Sequence, residues 1–261
     1  MDKKDKESYI ISTLSDALKL LDQFLYDSPE IGVTELSKKT KLHKNKVFRV
    51  LATFEKFNYI EQNKDTEQYR LGIKLLQLGQ SYLKKSGINI IAEPFLEELN
   101  QELQETVYLS LFSKNEAVCI NVKEAPSRIK VSIHIGEHFQ LHSNAIGKLL
   151  ATKIYENKKN TNFLGKLEKL TDNTIIDKNI FEEQLKNIIK NNFAIDKEEW
   201  EKRIINIAVP VRDFSYDWIG GIGVSIPLVS YDEEKTKNII EKLQYTANEL
   251  SFKLGFPYIE K

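Results

Sequence analysis

Cations, an amide and small side chains recur at helical spacing between residues 44 and 56. At about 100° per residue, one side of this stretch collects Asn45, Arg49, Ala52 and Lys56. The helix start and the flanks of that side add Lys44, Lys46, Phe48 and Thr53. Cations attract phosphates, and Arg and Asn bond base edges, so residues 44, 45, 46, 48, 49 and 53 are candidate DNA contacts. A basic face that is simply solvated is the alternative.

The elements that would position this face lie beside it in the sequence. Val47, Val50, Leu51 and Phe54 follow the i, i+3, i+4, i+7 spacing of a buried stripe, which predicts an amphipathic helix. Thr34 is placed to cap a shorter helix that precedes it. A short helix, a tight turn and a second helix together indicate a helix-turn-helix.

A short hairpin is expected after the second helix. Ile60 and Tyr69 are predicted to be partners across it, with residues 63–65 in its turn. A helix-turn-helix followed by such a wing is a winged helix. Lys64 at the wing tip and Arg70 would then reach backbone phosphates.

A third helix is expected over residues 8–26, beneath the helix-turn-helix, and residues 27–29 would stop it. Its predicted inward stripe is Ile11, Leu14, Leu18, Leu21 and Leu25. Residues 34–70 hold nine Lys or Arg and five Asp or Glu, a local net charge of +4 in a chain of net charge zero. This imbalance fits one DNA-reading module attached to another domain.

The totals exclude several classes of protein. Cys119 is the only cysteine, so the chain forms no internal disulfide, which fits a reducing compartment. The N-terminal residues contain no apolar signal segment, and no segment approaches the roughly 18 apolar residues that span a membrane. We expect a cytoplasmic protein that does not bind membranes.

A second domain is indicated where the apolar period changes from 3.6 to 2, near residue 106. Strands are predicted at 106–113, 117–123, 129–136, 204–211 and 220–227, and helices around 145–152, 181–192 and 232–255. A leucine-rich linking helix precedes this domain, and its leucines favour a dimer contact and domain packing about equally. The pattern predicts an α+β chain with an α/β domain of roughly 150 residues.

In order and spacing, these segments resemble the IclR family of bacterial transcriptional regulators over nearly the whole chain. The resemblance rests on the helix-turn-helix, YRLG at 69–72, LG at 78–79, LHSNAIGKLLA at 141–151, LTDNT at 170–174, FAIDKEE at 193–199, IAVPVRD at 207–213 and VSIP at 224–227. It implies a winged helix-turn-helix at 1–72, a linking helix at 73–87 and a GAF-like effector-binding domain at 88–261. It also implies homodimers or homotetramers on pseudo-palindromic double-stranded operator DNA.

The resemblance also implies an effector pocket on the sheet of the second domain. The matching positions here are Ala145, Ile146, Asp196, Asn206, Gly223 and Ser225. Backbone N–H groups at 145 and 146, near a helix N-terminus, favour an anion, so the expected effector is a small carboxylate metabolite, an organic or sugar acid.

Two of these positions depart from the family pattern. Asn206 stands where a thiol is frequent, and Gly223 removes a hydroxyl and adds room, which suggests a bulkier or differently hydroxylated effector. The alternatives are that Asp196 only caps a turn and that Ser225 is an ordinary strand serine.

An enzyme in the second domain is a competing interpretation. His134, His138 and His142 are close in sequence and could suggest a metal site, but no H-x-x-x-H pair lies on a predicted helix, and Glu137 is the only nearby acid that could be a ligand. No nucleophile elbow, phosphate loop or Cys–His pair is present. We therefore predict no catalytic residue, metal or cofactor.

The predicted function is a ligand-responsive transcriptional repressor, with an activator of the same architecture as the alternative. A ligand-free architectural DNA-binding protein is a third interpretation. Conversion of a substrate that survives deletion of residues 1–72 would favour the enzyme.

Overall fold

The computed structural model describes residues 9–25 and 30–257. The chain divides into two compact units, Met1–Lys85 and Ser86–Lys261. The elements of the first unit are α1 (Ser12–Leu21), a 3₁₀ turn (Asp22–Leu25), α2 (Val33–Thr40), α3 (Lys44–Lys56), the antiparallel strands β1 (Ile60–Gln62) and β2 (Tyr69–Leu71), and α4 (Ile73–Lys85). This is the predicted winged helix-turn-helix with its linking helix.

Every element of the first unit except α4 contributes apolar side chains to a common core. The buried side chains are Leu20, Phe24, Ile31, Leu36, Val47, Val50, Leu51, Ile60 and Tyr69. The stripe predicted for α3 is confirmed, with Phe54 packed at the edge of the core. Burial of this stripe leaves the opposite side of α3 turned to solvent.

The stripe predicted for the first helix is wrong except at Leu21, which is partly buried and packs against the core. Leu20 and Phe24 face the core, whereas the exposed apolar residues include Ile11, Leu14, Leu18 and Leu25. This region is apolar on two sides, and spacing alone does not say which side faces inward. The predicted ends of this helix, at residues 8 and 26, and its stop at 27–29 lie outside the described residues.

Two local predictions in this unit are also wrong. Helix α2 has Gly32 as its N-cap, so Thr34 lies inside its first turn and does not cap it. In the wing, Ile60 pairs with Leu71 rather than with Tyr69. The connection spans residues 63–68, longer than the expected turn, and this length moves the pairing by two residues.

The second unit is a six-stranded antiparallel sheet with helices on both faces. Its elements are α5 (Gly87–Leu103), β3 (Thr106–Ser113), β4 (Glu116–Lys123), β5 (His138–Phe139), α6 (Ala145–Lys158), α7 (Lys178–Asn191), β6 (Ala194–Lys197), β7 (Ile204–Arg212), β8 (Trp218–Pro227) and α8 (Glu233–Lys253). The strand order is β5-β4-β3-β8-β7-β6. Helices α6 and α7 pack on one face, and α5 and α8 pack on the other.

The strand predicted at 129–136 is absent from the sheet. Val131 and Ile133 are buried, as the alternating pattern requires. The backbone here is held by single bonds, such as Thr106 Oγ1 donating to the Val131 carbonyl at 2.7 Å, rather than by a ladder. Alternation therefore predicted which side chains are buried but not the strand pairing. Strands β5 and β6 were not predicted.

The start of α6 is fixed by a close backbone crossing. A Cβ added to Gly147 would lie 1.8 Å from the Gln140 carbonyl oxygen. Only glycine lets the segment before α6 cross the helix so closely. This crossing places the N-terminus of α6 over the sheet, where the predicted effector site lies.

Candidate functional site

Helix α3 presents the side predicted to contact DNA. Lys44, Asn45, Arg49 and Thr53 are exposed, and Phe48 is 56% exposed. The helix begins with His43 as N-cap, whose Nδ1 accepts from the Asn45 amide. Cationic, amide and flat aromatic groups thus share one accessible surface, as a helix in the major groove requires.

Two cations near this surface already have acidic partners. Lys46 pairs with Asp16 of α1, and this hydrogen bond lowers the pKa of Asp16. Arg70 in β2 lies 3.2 Å from a carboxylate oxygen of Glu61 in β1. Both cations are therefore partly neutralised within the protein before any phosphate approaches.

The wing tip is held by an acid that sequence reasoning missed. Glu30 accepts hydrogen bonds from Asn63 Nδ2 and Thr66 Oγ1, both at 2.8 Å, which lower its pKa. Lys64 lies between these two residues and is exposed. Glu30 lies more than 30 residues before the turn it holds, so no local motif reveals the contact.

In the second unit, the fold brings together three of the predicted effector residues. Asp196 on β6 pairs in register with Asn206 on β7, and Asn206 pairs with Ser225 on β8. Ser225 Oγ donates to Asn206 Oδ1, and Asn206 Nδ2 donates to Asp196 Oδ2 at 2.7 Å. All three are completely buried and form a polar row.

Asp196 also closes a turn, as the alternative interpretation expected. Its Oδ1 accepts from the amides of Glu199 at 2.6 Å and Trp200 at 3.3 Å. Burial raises the pKa of Asp196 to about 6, although Asn206 and the Glu199 amide act in the opposite direction. One carboxylate therefore belongs to both the turn and the polar row.

A buried ion pair lies beside the polar row. Lys148 on α6 donates to Glu199 Oε1 at 2.6 Å and to the Ile195 carbonyl at 2.9 Å. Burial lowers the pKa of Lys148 and raises that of Glu199, and their mutual attraction opposes both shifts. Sequence reasoning did not single out Lys148 or Glu199, although both belong to motifs that carried the family resemblance.

The α6 N-terminus is only partly available to an anion. Asn144 Oδ1 accepts from the Ile146 amide at 2.9 Å, so this predicted donor already has a partner. The amide of Ala145, in the first turn, has no acceptor within its own helix. The Nδ2 atom of Asn144 is buried without a hydrogen-bond partner among the described residues.

The room expected at Gly223 is filled. Tyr108 on β3 is the register partner of Gly223 on β8. A Cβ added to Gly223 would lie 2.4 Å from Cζ and 2.7 Å from the hydroxyl oxygen of Tyr108. The expectation that Gly223 opens the pocket for a bulkier effector is therefore wrong. The space beside Gly223 is filled because the large side chain of Tyr108 on the neighbouring strand occupies it.

Val209 and Ile222 lie on the face of the sheet opposite the polar row. They pair with each other in register. Successive side chains of a strand point to opposite faces, so both face away from the side that carries Asn206 and Ser225.

The three histidines do not converge. His142 Nε2 lies 2.8 Å from the Glu168 carbonyl, His138 lies 3.9 Å from Glu116, and the His134 amide donates to Glu137. Within residues 9–25 and 30–257, no group of three or more His, Cys, Asp or Glu is arranged to hold a metal. None of the helices in this part of the chain combines the length and apolar run needed to cross a bilayer.

The pKa of Asp196 predicts a pH dependence of stability. Its folded pKa, about 6, exceeds the ordinary 3.8, so the folded state binds this proton more tightly than the unfolded state does. Deprotonation of Asp196 should therefore lower the free energy of unfolding by up to about 3 kcal/mol as pH rises from about 4 to about 6. Urea unfolding at fixed pH values measures it.

Asp196→Asn should fold and lose this fall in stability. The new amide can donate to Asn206 Oδ1 while Asn206 Nδ2 turns to Ser225, which keeps the row bonded. Asp232→Asn, at the N-cap of α8, is the matched control and should keep the wild-type profile, because Asn also caps helices. An Asp196→Asn protein with the wild-type profile would contradict the raised pKa.

Comparison with known proteins adds to this geometry. Residues 80–252 match the family described as Bacterial transcriptional regulator IclR C-terminal, and residues 13–64 match the IclR helix-turn-helix domain. The HTH-type transcriptional regulator KdgR from Escherichia coli (strain K12) is 28% identical over 253 residues, which cover 97% of this chain and 96% of that protein.

Solved structures agree with the fold. The Thermotoga maritima IclR has a TM-score of 0.68 at 27% identity, covering 94% of this chain and 99% of that one. An IclR homolog from Microbacterium hydrocarbonoxydans, complexed with 4-hydroxybenzoate, has a TM-score of 0.75 at 18% identity, covering 93% of this chain and 98% of that one, which shows the fold alone.

Both family domains match in the order in which the winged helix and the sheet domain occur here. The chain belongs to the IclR family and is a transcriptional regulator with a DNA-binding helix-turn-helix and a C-terminal effector domain.

Proposed function

We propose that the protein is a repressor acting in the cytoplasm, whose affinity for a pseudo-palindromic operator changes when a small carboxylate metabolite binds the second unit. An activator would have the same architecture. The observation that carries the proposal is the polar row of Asp196, Asn206 and Ser225 across three adjacent strands, at positions that the family resemblance implies for the effector pocket. The 4-hydroxybenzoate bound by the Microbacterium homolog is also a carboxylate with a further oxygen group.

On DNA, α3 is proposed to enter the major groove. Arg49 and Asn45 would contact base edges, with Phe48 and Thr53 beside them, and Lys44 and Lys64 would contact phosphates. Lys46 would approach phosphate only in competition with Asp16, its partner in the free protein. The exposure of α3 opposite its buried stripe supports this arrangement.

Arg49 and Lys64 should have separable roles. Arg49→Ala should cost about 1–3 kcal/mol of binding and relax sequence preference, because it removes a base contact. Lys64→Ala should weaken binding to all DNA sequences alike, because it removes a phosphate contact. It should also reduce the slope of the logarithm of the binding constant against the logarithm of the salt concentration by about one. Salt-dependent titrations on a duplex selected from a random library, and on scrambled DNA, measure both.

Lys114→Ala is the control for these variants, since it removes an exposed positive charge from the β3–β4 turn of the second unit. It should leave DNA binding unchanged. If Arg49→Ala alters only the salt slope, Arg49 contacts phosphate and the proposed base reading is wrong.

The regulator is further proposed to act as a homodimer or homotetramer. No residue of α4 is buried in the chain, and its exposed apolar side chains include Ile73, Leu76, Leu78 and Tyr82. An apolar helix left uncovered in this way marks an interaction surface. A two-fold dimer would match the two halves of a palindromic operator.

Sedimentation should show a concentration-dependent dimer or tetramer. Leu76→Glu should shift it toward monomer, because the association would then bury a charge. Gln77→Glu, also exposed on α4, adds the same charge without removing an apolar group and should associate more strongly than Leu76→Glu. A wild-type chain that stays monomeric at all concentrations, with and without operator, would exclude this assembly.

In the effector site, the Ala145 amide at the α6 N-terminus would receive the carboxylate. Asn206 and Ser225 would bond a carbonyl or hydroxyl of the ligand. The Ile146 amide would donate to the carboxylate only if its hydrogen bond to Asn144 Oδ1 were broken. Asp196 would accept a hydrogen bond from a ligand hydroxyl with its remaining lone pairs.

Thermal shifts of the full chain test this site. The probes are glyoxylate, pyruvate, D-glycerate, D-gluconate and 4-hydroxybenzoate, and a bound acid raises the melting temperature by mass action. The active acid should change operator affinity by about 5–150-fold, the range of typical allosteric coupling.

Ser225→Ala should weaken the binding of this acid, whereas Ser215→Ala, in the exposed β7–β8 turn, should leave its binding unchanged. If no acid raises the melting temperature, the carboxylate proposal fails. If an acid binds without changing operator affinity, the regulatory link fails.

A further inference from the structure

The hydroxyl of Tyr108 is a buried polar group without a use in the fold. Tyr108 lies on β3, is completely buried, and its hydroxyl oxygen has no hydrogen-bond partner among the described residues. A buried hydroxyl that has given up water without gaining a partner destabilises the folded state. A chain that retains such a group near a binding site has a donor ready for a ligand.

The position of the ring ties Tyr108 to the polar row. Residue 108 pairs with Gly223, and residue 106 pairs with Ser225, so Tyr108 and Ser225 project from the same face of adjacent strands. The tyrosine oxygen lies where a side chain at 223 would begin, 2.7 Å from the added Cβ. The hydroxyl that Gly223 cannot carry is thus provided by the neighbouring strand.

The hydrogen bonds of the row leave Tyr108 as a donor. Ser225 gives its only hydroxyl proton to Asn206, and Asn206 in turn donates to Asp196. Burial raises the pKa of Tyr108 well above its usual range, so the phenol stays protonated. Ser225 is close enough to oppose this rise, but its hydroxyl proton goes to Asn206 and its position relative to the phenol does not meet hydrogen-bond geometry. The unused group is therefore a neutral O–H, which suits an acceptor oxygen.

Ser110, also on β3, carries a second buried hydroxyl without a hydrogen-bond partner among the described residues. It lies two residues further along the strand and is completely buried. It pairs with Gly221, where an added Cβ would lie 3.1 Å from the Cδ1 of Ile146 on α6. Unused hydroxyls thus extend along this face toward the helix start.

We propose that Tyr108 is a specificity-determining residue of the effector site, which donates to an oxygen other than the carboxylate and so selects oxo or hydroxy acids over plain acids. This inference rests on the proposed binding of a small carboxylate in the second unit. The ring that covers Gly223 also limits the room, which favours short acids over long ones.

The test is Tyr108→Phe in the full chain, with Tyr155→Phe as the matched control. Tyr155 is also largely buried, but its hydroxyl donates to Glu182 at 2.9 Å on α7. Without ligand, Tyr108→Phe should melt at or above the wild-type temperature, because it removes an unpartnered group. Tyr155→Phe should melt lower, because it removes a made bond.

Ligand titrations followed by melting temperature complete the test. Glyoxylate, pyruvate, D-glycerate and 4-hydroxybenzoate are the oxygenated probes, and propionate and benzoate are their plain counterparts. The oxygenated acids that bind the wild type should bind Tyr108→Phe about 10-fold more weakly, as expected for one lost hydrogen bond. Affinities of the plain acids, and all affinities of Tyr155→Phe, should not change.

The outcomes separate this inference from the proposed function. If oxygenated acids bind the wild type and Tyr108→Phe equally well, Tyr108 does not select them, and the carboxylate proposal stands alone. If Tyr108→Phe melts as low as Tyr155→Phe and loses oxygenated and plain acids alike, its hydroxyl is structural. If no acid binds the wild type, both ideas fail together.

Discussion

The structure of the second unit depends on satisfying one buried carboxylate. Asp196 has lost all contact with water, and an unpartnered carboxylate at such a place would be strongly destabilising. Its oxygens are instead met by two backbone amides of the following turn and by Asn206 of the next strand. Because these partners come from β7 and from the connection between β6 and β7, the carboxylate on β6 is satisfied only when strand register and turn are both correct. The Asn206 amide then orders Ser225, so one charged group sets the polarity of a row that crosses three strands.

Charge balance extends this constraint to α6. Asp196 and Glu199 place two carboxylates beside the single ammonium of Lys148, whose bond to the Ile195 carbonyl fixes α6 against β6. An incoming carboxylate would add negative charge to this group. The positive end of α6 and Lys148 in its first turn are the available compensation, and the raised pKa of Asp196 offers another, since proton uptake would remove one negative charge. Binding of an acid in the proposed site and protonation of Asp196 should therefore be linked.

Helical and strand periodicity correctly predicted the features that depend only on the local spacing of apolar residues. The α3 stripe, the long strands β3, β4, β7 and β8 and the burial of Val131 and Ile133 follow from it. The inward side of α1 and the missing strand at 129–136 depend on partners distant in sequence, and the Ile60–Leu71 pairing depends on the length of the wing connection. The three positions of the polar row were selected by family resemblance, because no spacing within the chain links Asp196 to Ser225, and their hydrogen bonds to one another were not predicted. Tyr108 and Glu30 were missed for the same reason: each acts on a residue of another strand or turn, and Gly223 shows its meaning only once Tyr108 is seen against it.

The winged unit uses acids to limit its attraction for phosphate. Asp16 pairs with Lys46, Glu61 pairs with Arg70, and Glu30 binds the wing turn through Asn63 and Thr66. In the proposed complex, each pair would weaken the sequence-independent, salt-dependent part of DNA binding. In the proposed operator complex, a larger share of the affinity would then come from base contacts in the major groove, which would raise the ratio of specific to non-specific binding. A coupling free energy of about 1–3 kcal/mol is small beside the affinity of a strongly basic protein for any DNA. It is large enough to change operator occupancy when non-specific binding is held low, and this is the physical advantage of placing acids beside a surface that binds a polyanion.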